Sequence, residues 1–208
     1  RSLAVGVRVP HVSRLGAVAI MAIADYRLGR LAQDLLANGC PAGAAIDALV
    51  AADPHPEYRQ LGVIDAEGRA AARTGRENRD YAGHHVRDGL VALGNVLVGE
   101  HVLDAIEAGF AGDRFAERLL AALEAGRDAG GQHGGQNSAA LVTWGAHGFP
   151  LTDLRVDVHE EPVGELRRVF DAWKPAADYY TERQPDPRVR PLHETRPGRG
   201  YCAGPSGL

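Results

Sequence analysis

The segment GAVAIMAIADYRLGRLAQDLLANG, residues 16 to 39, decides the fold class. Its first part, Gly16 to Ala24, is continuously apolar and short, which is typical of a β-strand buried on both faces. Apolar residues then recur at helical spacing as far as Leu36, and Gly39 lies where a left-handed helix C-cap belongs. A second helical stripe runs from Ala45 to Val50. The sequence therefore predicts two consecutive helices after one strand.

The rest of the chain repeats this order of strands followed by paired helices. The further predicted elements are a β-hairpin at residues 60–65 and 69–74, a strand at 90–98, helices at 102–110 and 115–123, strands at 138–144 and 154–158, and a helix at 162–173. Helices inserted in pairs between groups of strands do not suit a doubly wound parallel sheet, in which strands and helices alternate singly. The pattern favours an α+β fold: a layered sandwich with hairpin-rich sheets inside and helix pairs outside.

The predicted domain ends near residue 174. From Pro175 onward the apolar periodicity is lost and prolines recur at short intervals, so no regular element is expected there. Residues 1–174 are therefore predicted to form one domain, and residues 175–208 an extended C-terminal arm. Arginines and carboxylates are interleaved in this arm, which favours a subunit contact over nucleic-acid binding.

Composition excludes several classes of protein. The formal net charge of −4 argues against an extended nucleic-acid surface. No apolar run reaches the ~18 residues that span a bilayer, and no export signal is visible. Cys40 and Cys202 form no metal-type spacing, and free thiols in a reducing compartment are favoured over a disulfide between the two. We predict a cytoplasmic protein without nucleic-acid or membrane partners, and base rates favour a homodimer or higher homo-oligomer.

Six stretches carry a resemblance to a known protein family. They are SLAVGVRVPHV (residues 2–12), GAVAIMAIADYRLG (16–29), QLGVIDAEGRAAARTG (60–75), GNVLVG (94–99), GGQNSAALV (134–142) and LRVDVHEEPVGEL (154–166). Together they resemble family 1028 of the domains of unknown function. They occur in the family's order and extend over about residues 1 to 173.

The resemblance implies membership of the N-terminal nucleophile (Ntn) hydrolase superfamily, whose fold is a four-layer α-β-β-α sandwich. These enzymes attack a carbonyl, usually of an amide, with the side chain of an N-terminal Thr, Ser or Cys, whose α-amino group is the base. Arg1 cannot be this nucleophile, and Ser2 qualifies only after removal of Arg1. In the family, the strand pair that carries the nucleophile precedes the segment matching Ser2. This chain is therefore expected to lack its first strand pair.

Two amide side chains are the first candidates for substrate binding. Asn95 follows Gly94 inside an apolar segment, so it either orients a substrate or an oxyanion, or is a structurally satisfied residue at a β-bulge. Gln136 ends the glycine-rich loop 126–136. This loop leads from a helix into a strand, which is the wrong polarity for a phosphate cradle. A connection that lines a pocket is favoured.

Four further residues are candidates for substrate binding. Asp25 follows the buried strand, and it is interpreted either as a site residue or as the N-cap of the next helix. His84 and His85 are interpreted as loop histidines that cannot easily share one metal. Asp157 and His159 alternate with apolar residues of a predicted strand. They are interpreted as a base with its orienting group, as two metal ligands, or as part of a solvated strand face. We predict no metal and no cofactor, because no metal-type His or Cys spacing occurs.

Two functions are compatible with these residues and the resemblance. The first is an Ntn-type hydrolase of a small amide or other C–N bond substrate, with Asn95 and Gln136 in the pocket and the nucleophile upstream of this chain. The second is a non-catalytic protein of the same fold that binds a small ligand or forms an oligomeric scaffold. Ligand binding in either case requires a polar gap beside Asn95 and Gln136.

Overall fold

The computed structural model describes residues 2–145, 148–183 and 185–190. The strands are β1 (Pro10–Ser13), β2 (Gly16–Ala22), β3 (Arg59–Asp65), β4 (Ala70–Thr74), β5 (Gly83–Arg87), β6 (Leu90–Gly94), β7 (Ala139–Trp144) and β8 (Pro150–Val156). The helices are α1 (Val5–Arg8), α2 (Tyr26–Ala37), α3 (Ala42–Ala52), α4 (His101–Gly109), α5 (Phe115–Asp128) and α6 (Pro162–Arg183). A short 3-10 helix, Pro56–Tyr58, precedes β3.

Every strand pair in the described residues is antiparallel. Strands β1 to β4 form a four-stranded sheet in sequence order, while β5–β6 and β7–β8 are two-stranded hairpins. The predicted hairpin at residues 60–74 is confirmed as β3–β4, and Gly68 in its turn has a φ of +81°. Helices follow strands in pairs twice, as α2–α3 and α4–α5. These observations confirm a mixed fold of helices and antiparallel sheets.

One face of the four-stranded sheet is covered by α2 and α3. Val18 of β2 pairs with Val63 of β3, and Ile20 pairs with Leu61. All four side chains are at most 2% exposed and pack against the buried faces of the two helices. Because successive strand residues point to opposite faces of a sheet, this apolar core determines which residues of β2 and β3 point the other way.

The opposite face of this sheet receives the β5–β6 hairpin. Met21, Gln60 and Gly62 point to this face. Val91 and Leu93 of β6 lie so close to Gly62 that an added Cβ would be 3.2 to 3.3 Å from their side chains. Helix α4 packs on β5 and β6, α5 packs on β7, and the two helices pack on each other. The β5–β6 hairpin therefore lies between β3–β4 and α4.

Strand β6 is shorter than its apolar sequence predicts. It ends at Gly94, so the prediction of a strand as far as Val98 was wrong. The backbone turns at Val96, which has a φ of +57°. Leu97 then forms an isolated antiparallel bridge with Gln132. The apolar residues after Gly94 are therefore part of a turn that contacts the glycine-rich loop.

The last helix is longer than predicted. Helix α6 continues through Pro175 to Arg183, so the prediction that regular structure ends at Pro175 was wrong. A proline removes one helical hydrogen bond, but the neighbouring residues keep theirs. Ala176 and Tyr179 are buried at helical spacing and continue the apolar stripe beyond the proline. Burial of this stripe outweighs the local cost of the proline.

The chain divides into two compact units inside α6, between Arg167 and Arg168. All elements from α1 to β8 belong to the first unit. The predicted domain, residues 1–174, and arm, residues 175–208, stay predictions, and residues 191–208, with Cys202, lie outside the described chain. Among the described residues, no helix combines the length and apolarity needed to cross a bilayer.

Candidate functional site

A cavity of about 770 Å³ lies within the first unit, a volume typical of sites for small organic ligands. Its lining comes from the N-terminal residues as far as Pro10, the end of β2, residues 77–79, the turn after β6 and the loop between α5 and β7, with further residues of α4, α5 and β7 and with Tyr58 and Val163. Five carboxamide side chains belong to its wall: Asn78, Asn95, Gln132, Gln136 and Asn137. The wall therefore offers many hydrogen-bond donors and acceptors.

The structure brings three predicted site residues to this cavity. Ser2, Asn95 and Gln136 line it, although they are far apart in the sequence. Four other candidates are not among its lining residues: Asp25, His84, Asp157 and His159. A cavity therefore lies beside Asn95 and Gln136, and the role of these two amides in binding stays a prediction.

Gln60 holds the side-chain amide of Asn95 in one orientation. Gln60 Nε2 faces three oxygen acceptors. They are Thr74 Oγ1 at 3.0 Å, Gly83 O at 2.9 Å and Gly94 O at 2.8 Å. Because the nitrogen of Gln60 faces these acceptors, its Oε1 accepts the hydrogen bond from Asn95 Nδ2, at 3.1 Å. Asn95 Oδ1 has no hydrogen-bond partner among the described residues, and it remains available to a ligand together with the second Nδ2 hydrogen.

Gln60 itself is a residue that the sequence analysis missed. Its side chain is 0% exposed, on the side of β3 that faces the β5–β6 hairpin. A buried amide must satisfy both its donors and its acceptor, and Gln60 does so by joining this hairpin to Asn95. The sequence contains one signal for this role, which is a glutamine in a strand whose other residues are mostly apolar.

The same hydrogen-bond network extends to His84. Thr74 Oγ1 accepts from Gln60, so its own hydrogen is available to His84 Nδ1, which lies 2.9 Å away. Burial, and then the neighbouring His85, lower the pKa of His84. The lowered pKa favours the neutral ring that accepts this hydrogen bond. The interpretation of His84 as a loop histidine was wrong, because it lies in β5 and connects to Asn95 through Gln60 and Thr74.

The glycine-rich loop is attached to the turn that follows β6. Gln132 Nε2 donates to the backbone oxygen of Asn95 at 2.9 Å, and His133 N donates to Val96 O at 2.8 Å. Gly131 has a φ of +56°, and its backbone lies so close to Gln136 Nε2 that an added Cβ would push this amide aside. The loop therefore uses backbone contacts and a glycine to place Gln136 at the cavity wall.

Ser138 attaches the N-terminal segment to the cavity wall. Its hydroxyl donates to Ser2 O at 2.7 Å and accepts from Val5 N at 3.2 Å. Nearby, Ala4 N donates to Asp157 O at 3.0 Å. The side chain of Ser138 is buried, and its hydroxyl is engaged both as donor and as acceptor. These contacts hold the segment that carries Ser2 at the cavity.

Backbone strain is concentrated around the cavity. Among the described residues, three that are not glycine have a positive φ: Ala4 (+51°), Ala22 (+65°) and Val96 (+57°). Ala22 and Val96 line the cavity. A left-handed conformation costs an L-residue about 1–2 kcal/mol, and such residues cluster at functional sites. The strain is a second reason, independent of the amides, to treat this cavity as the candidate site.

Asp25 is the N-cap of α2, which was one of its two predicted roles. Its Oδ1 accepts from Arg27 N at 3.0 Å, and its Oδ2 lies 2.6 Å from the Arg27 guanidinium. The hydrogen bonds from Arg27 lower the pKa of Asp25 to about 2. Arg59, which is buried and paired with Asp53 at 2.7 Å, lies 4.0 Å from the same carboxylate. These contacts stabilise the start of α2.

Asp157 and His159 lie beyond the end of β8 at Val156, so the prediction that they share one strand face was wrong. Both side chains are exposed. His159 Nδ1 accepts from Glu161 N at 2.9 Å, and His159 N donates to Asn137 O at 3.0 Å. Their contacts are those of a connection between β8 and α6. In the described part of the chain, no three His, Cys, Asp or Glu side chains converge as the ligands of a metal ion do.

Residues 1–166 match the family described as Family of unknown function (DUF1028). The chain belongs to this family. A DUF1028 protein from Silicibacter pomeroyi, known from its crystal structure, is 32% identical in sequence to this chain. The two structures superpose with a TM-score of 0.77. This similarity covers 83% of this chain and 79% of that chain. No curated protein matches the sequence.

The cavity belongs to the DUF1028 region of the chain. Its lining residues extend from Ser2 to Val163, all within the part that matches the family. The resemblance drawn from the six sequence stretches is therefore confirmed at the level of the DUF1028 family. The turn with Asn95 and the loop with Gln136 both lie in stretches that carried the resemblance.

Proposed function

We propose that this DUF1028 protein binds a small amide or carbamoyl compound in the cavity and hydrolyses its C–N bond by Ntn-type chemistry. The observation that carries the proposal is the fixed amide of Asn95 in a wall that contains four more carboxamides. An amide ligand has one carbonyl acceptor and at least one N–H donor. Such a wall is complementary to both groups.

Asn95 is suited to hold the reacting carbonyl. One hydrogen of its Nδ2 goes to Gln60, and the other is available to a carbonyl oxygen, while Oδ1 can accept from the ligand N–H. A donor that is held in place before reaction stabilises the negative charge that develops on that oxygen. In enzymes that use such a donor, its removal costs about 10²–10³ in kcat.

In the proposed reaction the nucleophile is the side chain of an N-terminal Thr, Ser or Cys. Its oxygen or sulfur bonds to the carbonyl carbon, and its α-amino group takes the proton and transfers it to the leaving nitrogen. Water then hydrolyses the acyl-enzyme. Ser2 lines the same cavity as Asn95, so this role falls to Ser2 after removal of Arg1 or to a residue upstream.

The packing order supports an Ntn-type architecture. Helices α2 and α3 cover one face of the four-stranded sheet, and the β5–β6 hairpin covers the other. Helices α4 and α5 pack outside the hairpins. A four-layer α-β-β-α sandwich has this order of layers, with the substrate site between its two sheets.

A non-catalytic ligand-binding protein is the alternative. Ser138 is engaged both as donor and as acceptor. Among the described lining residues there is no His, Cys, Thr or Lys that would complete a nucleophile–base pair. Under this alternative the same compounds bind in the cavity but are not turned over.

The test uses neutral amides and carbamoyl compounds, among them acetamide and N-acetylglycinamide, with the full-length protein. Binding is measured by calorimetric titration and turnover by the release of ammonia or amine. We expect Asn95→Ala to lose most of the affinity. Asn38→Ala is the matched control, because that exposed amide contacts only Asp34 O at the end of α2. Affinity that survives Asn95→Ala in a variant with the wild-type urea midpoint would contradict the proposed site.

Intact-mass analysis of the native polypeptide separates the two functions. Turnover by a protein with a free N-terminal Thr, Ser or Cys supports the hydrolase. Binding without turnover, in a protein with a different N-terminal residue, supports the alternative and contradicts the Ntn mechanism.

A further inference from the structure

The charged residues of the cavity wall are mostly positive, although the whole chain is negative. The formal net charge of the chain is −4. The charged side chains among the lining residues are Arg8, Arg79, Arg127 and Glu77. A cavity whose charge is opposite to that of the surrounding protein concentrates ligands of the other sign.

Among the described residues, two of these arginines have no counter-charge. Arg127 is paired with Asp128 at 2.8 Å. The guanidinium groups of Arg8 and Arg79 have neither an ion pair nor a hydrogen bond among the described residues, and both residues are exposed. Four arginines outside the cavity wall are, in contrast, paired with carboxylates at 2.6 to 2.7 Å: Arg27, Arg69, Arg73 and Arg87. Two residues of the cavity wall therefore carry guanidinium groups that are free to engage a ligand.

The position of Arg79 links this charge to the amide site. Its backbone oxygen accepts from Val96 N at 3.0 Å. Val96 directly follows Asn95, so this hydrogen bond fixes the backbone of Arg79 beside the turn that carries the amide. Guanidinium groups bind carboxylate and phosphate oxygens through paired N–H donors. A ligand bound at Asn95 thus shares its cavity with Arg8 and Arg79, whose guanidinium groups can bind an anionic group of that ligand.

We propose that the ligand is an amide that also carries an anionic group, with Arg8 and Arg79 as the counter-charge. N-acylated and N-carbamoylated amino acids have this combination of groups, with a carboxylate as the anion. A phosphate ester of an N-acylated amino alcohol shares the same chemistry. This inference rests on the proposed function, because Asn95 holds the amide.

The experiment compares three probes that share an acetamide group. N-acetylglycine carries a carboxylate, the phosphate ester of N-acetylethanolamine carries a phosphate, and N-acetylglycinamide is neutral. We expect at least one anionic probe to bind the full-length protein about tenfold more tightly than the neutral probe, as one charge-assisted hydrogen bond allows. The anion that binds more tightly identifies the group. In about 1 M salt, where the Debye length is about 3 Å, most of this advantage should disappear.

Variants show whether the two arginines provide the advantage. The combined change Arg8→Gln and Arg79→Gln should reduce the preference for the anionic probe to less than about twofold. Arg14→Gln is the matched control, because Arg14 is an exposed arginine between β1 and β2 that does not line the cavity. All three arginines are exposed, so these variants are expected to fold.

The outcomes separate this inference from the proposed function. If the neutral probe binds as tightly as both anionic probes, the inference fails and the amide site stands. An anionic preference that persists in the combined variant also overturns it. If no probe binds the wild-type protein, both proposals fail.

Discussion

Removal of the Gln60 amide should destabilise the protein more than any other single change in the polar network. Gln60→Leu shortens the side chain by one atom and removes its amide, so Gly83 O, Gly94 O and Thr74 Oγ1 lose the two N–H donors that they share. Each buried polar group left without a partner costs about 1–3 kcal/mol. Gly94 is buried and the other two are half-buried, so we expect a loss of about 3 kcal/mol. This is a large part of the roughly 5–15 kcal/mol that stabilises a domain.

The charged variant Gln60→Glu gives a second and sharper result. The introduced carboxyl keeps the acceptor for Asn95 Nδ2 but directs an oxygen at the acceptors that Gln60 Nε2 now faces. Burial and these oxygens raise the folded pKa of the introduced carboxyl above its unfolded value of about 4.3. A raised folded pKa means that the stability is fully present below about pH 4.3 and is lost as the pH rises through the folded pKa. Gln60→Glu should therefore approach the stability of the wild type at about pH 4 and fall well below it at about pH 7.

Urea unfolding at two pH values measures both effects. With an m-value of about 2 kcal/mol/M, Gln60→Leu should lower the midpoint by about 1.5 M at either pH. Gln33→Leu and Gln33→Glu are matched controls, because Gln33 is half-buried on α2 and its Nε2 has one acceptor, His11 O. Their midpoints should change less than those of the Gln60 variants. A wild-type midpoint for Gln60→Leu, or no pH dependence of the deficit in Gln60→Glu, would refute the role assigned to Gln60.

Two further predictions concern the histidine and the loop. The pKa of His84 is lowered in the folded state, so the stability it contributes is present above about pH 6.5 and is lost as the pH falls through its folded pKa. His84→Asn keeps an acceptor for the Thr74 hydroxyl and should reduce the fall in Tm between about pH 7.5 and about pH 5. A fall in Tm equal to that of the wild type would contradict the role assigned to His84. Gly131→Ala introduces strain at a φ of +56° and displaces Gln136, so it should lose about 1–2 kcal/mol and also weaken amide binding. Gly39→Ala is the control, because Gly39 has a φ of +77° and no atom lies within 4 Å of an added Cβ. This variant should lose stability but keep the affinity for the amide. Equal effects of both variants on binding would argue against a role for Gln136.

Much of the first helix pair and sheet could be predicted because burial leaves a period in the sequence. The short apolar run of β2 and the helical stripes of α2 and α3 indicate which residues are buried. Local turn chemistry was also informative, since Gly68 has the positive φ that its hairpin requires and Asp25 caps α2. These features depend on residues that are close in sequence.

Other features depend on contacts that no local pattern reports. The run LVALGNVLV was predicted as one strand because apolar character indicates burial but not backbone conformation, and the turn at Val96 breaks it. Pro175 was expected to end the last helix, but buried residues on both sides of it continue the helix. The role of Gln60 arises from β5 and β6, which pack on β3 from a distant part of the sequence. Ser2, Asn95 and Gln136 were predicted one by one, and only the fold places them around one cavity.

The most direct test of the central claim is a crystal of the full-length protein soaked with N-acetylglycinamide or with a tighter-binding probe. The claim is that a ligand amide is bound by Asn95 in the cavity. We predict that the ligand occupies this cavity with its carbonyl oxygen or N–H about 3 Å from the Asn95 side chain. A ligand bound elsewhere on the protein, with none in the cavity, would contradict the account.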